Sequence, residues 1–196
     1  MKIDKCIFFD TETNGIGGFR PPKHRLLQLG YITPDEEKKI YIKGVTKIAS
    51  GLPHDITIKK CNEEGIDSKD ALSKFIEEVK KVDIIIAHNI EFDIGIVRHI
   101  LKEDGHAELL NEFNKVISKK QQVCTMHSTK NFCKLEFKDT QKYQSRSDYK
   151  WPSLSELYTK LYLEPPSEKL HDALEDCRVL KKCVVKLEEV GQFITS

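Results

Sequence analysis

The chain contains no apolar stretch long enough to cross a bilayer, and its start, Met-Lys-Ile-Asp-Lys, has no signal-peptide core. The expectation is an intracellular protein, cytoplasmic or nuclear, with no membrane partner. It also lacks an excess of charge of either sign. Lys+Arg number 32 and Asp+Glu 31, so bulk charge neither indicates nor excludes a nucleic-acid partner, and any basic footprint must be local. No CxxC pair occurs. The six cysteines, at 6, 61, 124, 133, 177 and 183, fall largely within apolar patterns. They read as reduced core thiols of a reducing compartment rather than as disulfides or a zinc site. There is no internal repeat, low-complexity segment or domain boundary, and 196 residues form most simply one domain, 1–196, with a full core.

Against these absences stand two continuous apolar runs, Cys6 to Phe9 and Val82 to Ala87, each suited to a buried strand. Leu26 to Ile32 and Lys39 to Lys43 read as further strands joined by Thr-Pro-Asp-Glu-Glu, giving an antiparallel meander. Leu72, Phe75, Ile76 and Val79 follow helical spacing. Strand, helix, strand is the crossover of a parallel pair. Residues 92–103 and 107–118 read as helices and 122–125 as a last strand, whereas 44–66 have no strong period. Capping boxes at Ser153-Leu-Ser-Glu156 and Asp172-Ala-Leu-Glu175 open two closing helices. The order implies an α/β fold, a mixed five-stranded sheet with an antiparallel 1-2-3 meander plus parallel strands, flanked by helices.

Three acidic places meet at one edge of this topology if the two continuous runs lie parallel. Asp10 and Glu12 are two residues apart at the end of the first run, so they share a face of the chain. Their repulsion raises a pKa unless a divalent cation relieves it. Asp93 falls in the first turn of a helix for which Asn89 is a plausible N-cap, at the end of the second run. His171 precedes the N-cap Asp172, and Asp176 takes the fourth helical position, so the two stand where a hydrophobic staple would touch. Each place alone also reads structurally, as a polar turn, a charge near a helix dipole, or a capped helix. Together, four carboxylates and a histidine match what two-metal phosphoryl chemistry requires, and histidine, with an unperturbed pKa of about 6.5, can take a proton from water.

Two other stretches are basic. Residues 16–25 are a Gly- and Pro-rich loop that overhangs the acidic pair or serves as a hairpin connection. In 134–151, Lys134, Lys138, Lys142, Arg146 and Lys150 recur every four residues among Phe137, Tyr143, Tyr149 and Trp151. That pattern suits base stacking if it meets nucleic acid, and its weak helix formers favour a surface loop.

The ordered trio Phe-Phe-Asp10-Thr-Glu12-Thr-Asn-Gly, Ala-His-Asn-Ile-Glu-Phe-Asp93 and His171-Asp-Ala-Leu-Glu-Asp176 resembles the DnaQ-like 3′→5′ exonucleases of the DEDDh group, with an RNase H-like fold. Cys124-Thr125-Met126 and Tyr149-Lys-Trp-Pro-Ser-Leu look like further landmarks of that family. The resemblance implies that Asp10, Glu12, Asp93 and Asp176 ligate two divalent cations, Mg²⁺ or Mn²⁺. It makes His171 the general base that activates water, and nucleoside 5′-monophosphates the product released from 3′ ends. It places Thr13 and Asn14 at the terminal nucleotide and His88, Asn89 and Phe92 in the same pocket. Single-stranded nucleic acid is the implied partner, DNA favoured and RNA possible, with a polymerase as a possible further partner. Two positions depart from the family: Glu168 stands where many relatives carry Arg, and Gln28 where many carry Glu. Neither belongs to the metal set.

Two other classes compete. A strand ending in Asp-X-Asp is similar to haloacid dehalogenase-type phosphatases, which would make Asp10 a nucleophile. Glu12 replaces the second Asp of that signature, and the His-X4-Asp element stays unexplained. A binding module keeping the fold without the activity is the third reading, and the presence of all five catalytic residue types argues against it.

Overall fold

A computed structural model describes residues 2–15, 24–137, 148–167 and 169–192. Most of the basic loop (16–23), the middle of the basic-aromatic stretch (138–147) and Glu168 lie outside the described residues.

Five strands form one sheet: β1 (Cys6–Thr13), β2 (Leu26–Ile32), β3 (Glu37–Tyr41), β4 (Ile84–Ala87) and β5 (Gln121–Cys124), in the order β3-β2-β1-β4-β5. The β1-β2 and β2-β3 pairs are antiparallel, and β1-β4 and β4-β5 are parallel. The meander with added parallel strands is therefore as the sequence implies. The helices are α1 (Ile58–Glu64), α2 (Ser68–Lys81), α3 (Ile90–Glu103), α4 (Ala107–Ile117), the short α5 (Thr125–Ser128) and α6 (Lys130–Cys133), α7 (Leu154–Tyr162) and α8 (Ala173–Glu189).

The sheet's two faces follow from the alternation of side chains along a strand. Ile7 and Phe9 of β1 turn to the larger core, shared with Leu72, Phe75 and Ile76 of α2 and Val97 and Ile100 of α3. Cys6 and Phe8 turn the other way, onto Leu174, Cys177, Leu180 and Val184 of α8. Asp10 and Glu12 have the parity of Cys6 and Phe8, so they continue the row that faces α8. Thr11 and Thr13 have the parity of Phe9.

Three local readings shift. β1 runs on to Thr13, because β2 pairs with it as far as Thr13↔Leu26. The two carboxylates are thus inside a hydrogen-bonded strand rather than beyond its end. β3 starts at Glu37, two residues before the expected Lys39, because the Thr33 hydroxyl accepts from Asp35 and Glu36 N–H and closes the turn early. Residues 58–64, where the sequence shows no strong period, form α1 with Thr57 as its cap on Lys60 N–H. The Ser153 capping box is complete. At Asp172, the side chain caps Leu174 and Glu175 N–H, and Glu175 pairs with Arg178 instead of returning to the cap.

All six cysteines are free and buried, consistent with core thiols. Among the described residues, no helix is long and apolar enough to cross a membrane.

Candidate active site

The site is assembled where β1, β2 and the first turns of α3 and α8 meet. Its foundation is a close approach of helix to sheet. Gly30, the partner of Asp10 across β1-β2, lies so near α8 that a Cβ there would stand 2.3 Å from the Ala173 carbonyl carbon. Only glycine leaves room for that contact. Two cross-strand pairs further, Gln28 stands opposite Glu12 and is fully buried. Its Oε1 accepts the Ala173 N–H at 2.6 Å, and its Nε2 donates to Asp172 Oδ2 at 3.2 Å. Lys39 Nζ donates to the same oxygen at 3.0 Å. Strand β2 thus clamps the N-terminus of α8, and one turn into that helix Asp176 comes beside Asp10 and Glu12.

His171 has φ +70°, a left-handed conformation held by its own N–H, which donates to both carboxylate oxygens of Asp176 at 3.2 Å. The hydrogen-bonded contact between these staple positions is therefore made by the backbone N–H of His171. Ligand atoms of Glu12, His171 and Asp176 all lie within 4.8 Å of one another.

Asp93 arrives from the other side. It is 2% exposed in the first turn of α3, and the Thr11 hydroxyl donates to its Oδ1 at 2.7 Å. Asn89 occupies the N-cap position in a left-handed conformation, φ +77°, and makes no side-chain cap hydrogen bond.

Electrostatics bind these carboxylates into one group. Desolvation first, then the charges of Asp93, Asp176 and Glu12, raises Asp10 far above the ordinary carboxylate range. Desolvation and the charges of Asp176 and Asp93 push Glu12 up to about 8. Burial raises Asp93 and Asp176 to about 7, against hydrogen bonds from Thr11 and the His171 backbone that pull the other way. Desolvation and the neighbouring His54 lower the His171 imidazole below its ordinary value, so it is a neutral proton acceptor at pH 7. A set of mutually repelling, partly desolvated oxygen donors beside a neutral imidazole fits hard divalent cations, whose charge offsets the repulsion.

The remaining expected residues make contacts of their own. Thr13 Oγ1 donates to Gly15 O at 3.1 Å. The Asn14 side chain ties three segments, donating to Lys47 O at 2.9 Å and accepting from Arg25 N at 2.7 Å. Phe92 packs on the larger core, half-buried. His88 uses both ring nitrogens. Nε2 donates to Pro152 O at 2.9 Å and Nδ1 faces Thr125 Oγ1 at 2.9 Å, and burial lowers its pKa to about 4. Neither nitrogen is left for a phosphate, so the ring braces the wall between β4, β5 and the segment before α7. The sequence motifs give no site role to Thr11, Gly30 or His54, and they show Gln28 only as a departure from the family. His54, buried with Nε2 at 3.0 Å from Thr13 O, lies in the stretch without a period and gives no local signal.

The RNase T family model, described as an exonuclease, matches residues 7–184. The chain belongs to this exonuclease family. It is similar to the DNA polymerase III subunit epsilon of Buchnera aphidicola subsp. Acyrthosiphon pisum (strain APS), 26% identical over 192 residues, spanning 93% of this chain and 72% of that one. Its fold is similar to a moderately thermophilic exonuclease I from Methylocaldum szegediense, with TM-score 0.63, 17% identity, and 94% and 40% of the two chains covered. It is also similar to the Saccharomyces cerevisiae Pan2 pseudoubiquitin hydrolase-RNA exonuclease module in complex with AAUUAA RNA, with TM-score 0.55, 12% identity, and 96% and 29% covered. The exonuclease thus has the RNase H-like architecture expected from its motifs.

Proposed function

We propose that this exonuclease releases nucleoside 5′-monophosphates from the 3′ ends of single-stranded DNA. Asp10, Glu12, Asp93 and Asp176 hold two divalent cations, Mg²⁺ or Mn²⁺, and His171 is the general base. The observation that carries the reading is the convergence of Glu12, His171 and Asp176 ligand atoms within 4.8 Å, from a strand and a helix far apart in sequence. When bound, the cations polarise the phosphodiester and neutralise charge on the attacking and leaving oxygens. The protein's own groups do the rest. Asp176 receives the backbone N–H of His171 and so sets where the imidazole stands. That imidazole, neutral at pH 7, takes the proton of the attacking water. Thr11 fixes the rotation of the Asp93 carboxylate.

Preference for DNA is supported by the likeness to a DNA polymerase III subunit, which also makes a polymerase a possible partner. RNA is the second reading, favoured by the likeness to an RNA exonuclease module. The six buried free thiols suit a reducing compartment.

Incubation with Mn²⁺ and end-labelled single-stranded DNA and RNA oligomers, side by side, tests the proposal. DNA should shorten from its 3′ end to mononucleotides, and Asp10→Ala should abolish this. Intact oligomers of both kinds would refute it, and preferential loss of RNA would assign the second reading.

A further inference from the structure

Trp151 is 57% exposed, yet the backbone around it is anchored on both sides. Lys150 N–H donates to Leu135 O at 2.9 Å. The Pro152 carbonyl accepts from His88 Nε2 at 2.9 Å, and Ser153 caps α7. The indole lies against the His127 ring of α5, with centroids 5.1 Å apart and planes tilted by 40°. His88 and the start of α5 directly follow the paired end residues Ala87 and Cys124 of β4 and β5. Trp151 therefore stands above the carboxyl ends of these strands, the edge at which Asp93 also arrives. Strand β5 lies about 10 Å, two strand spacings, from the β1 row of carboxylates.

We propose that Trp151, backed by His127, is a stacking platform for a nucleobase of a single strand, upstream of the scissile phosphodiester. This rests on the nuclease reading above and adds a subsite to it. A large aromatic with one face open to water can cover a base of any identity by its π-face, and such stacking changes affinity about 5- to 150-fold per base. Anchoring before binding spares the ordering cost that a free loop would incur. Lys150, the adjacent cation, is ion-paired with Glu156, so the subsite works by stacking rather than by phosphate contact. Its contribution should then depend little on salt, unlike charge neutralisation of the backbone.

The chain has one tryptophan, so indole fluorescence reports on this position alone. The Asp10→Asn protein with Mn²⁺, titrated with short dT and rU oligomers, should show saturable quenching whose midpoint moves little with salt. Mononucleotide dTMP should not reproduce it. In the active enzyme, Trp151→Ala should raise KM for a dT oligomer about ten-fold more than KM for a one-nucleoside aryl ester, and Trp151→Phe should recover most of the difference. An indole signal unmoved at saturating oligomer, or equal KM effects on the two substrates, overturns the platform while leaving the nuclease reading intact. Quenching without hydrolysis of either substrate by the Mn²⁺-loaded wild type would sustain the platform and sink the nuclease reading.

Discussion

Replacing Asp93 by Asn should stabilise the metal-free protein at neutral and higher pH while abolishing hydrolysis. Asp93 is 2% exposed and its carboxyl is pushed up to about 7, whereas in the unfolded chain it titrates near 4. A folded pKa above the unfolded one means that the native state binds the extra proton. Stability is therefore full below pH 4 and is lost as pH rises towards 7. At about 1.4 kcal/mol per pH unit, one such group costs roughly 4 kcal/mol once fully ionised. Relief of Asp10, whose own pKa is raised by Asp93, adds to the effect, and imperfect accommodation of an amide subtracts from it. Asn keeps the oxygen that accepts from Thr11. A net gain of roughly 2 to 4 kcal/mol corresponds to about 5–10 °C in Tm for a chain of this size. Thermal melts in EDTA from pH 5 to 8 measure it. Wild type should fall in Tm with rising pH, the variant should fall less, and added Mn²⁺ should raise wild type more than the variant. A variant no more stable than wild type at pH 8, or a wild-type Tm independent of pH, would refute the electrostatic account of the site.

His171→Ala should lower kcat by about 10²- to 10⁴-fold, as loss of a general base does, while Mn²⁺ still raises Tm, since four carboxylates remain. Gln28→Ala leaves the buried Ala173 N–H without its 2.6 Å acceptor. It should cost about 1–3 kcal/mol in denaturant unfolding and weaken Mn²⁺ binding by loosening the start of α8. Gly30→Ala puts a Cβ 2.3 Å from the Ala173 carbonyl carbon. It should displace α8 and reduce both Tm and activity, whereas Gly105→Ala, with open space at its φ of +74°, should affect stability alone.

Much of this architecture was legible because its signals are local. Continuous apolar runs marked β1 and β4, helical spacing marked α2, and the Ser153 box marked the start of α7, where cap and third residue answer each other within one turn. Period-two alternation put Asp10 and Glu12 on one face, and the three spaced motifs named the residues that converge. The sequence could not say which face that is, because facing α8 depends on Cys6 and Phe8 packing against Leu174 and Cys177, partners far along the chain. Nor could it show that β1 continues to Thr13, since those residues are strand only because β2 pairs with them. Gln28 read as a departure from a family pattern, and the fold makes it the clamp on Ala173 and Asp172. His88 read as a pocket residue, and both its nitrogens are bound to Thr125 and Pro152. Motifs mark the acidic residues and the histidine, whose spacing is local. Long-range hydrogen bonds and a glycine's missing Cβ decide how those side chains are held, because their partners lie on other elements and leave no trace in local spacing.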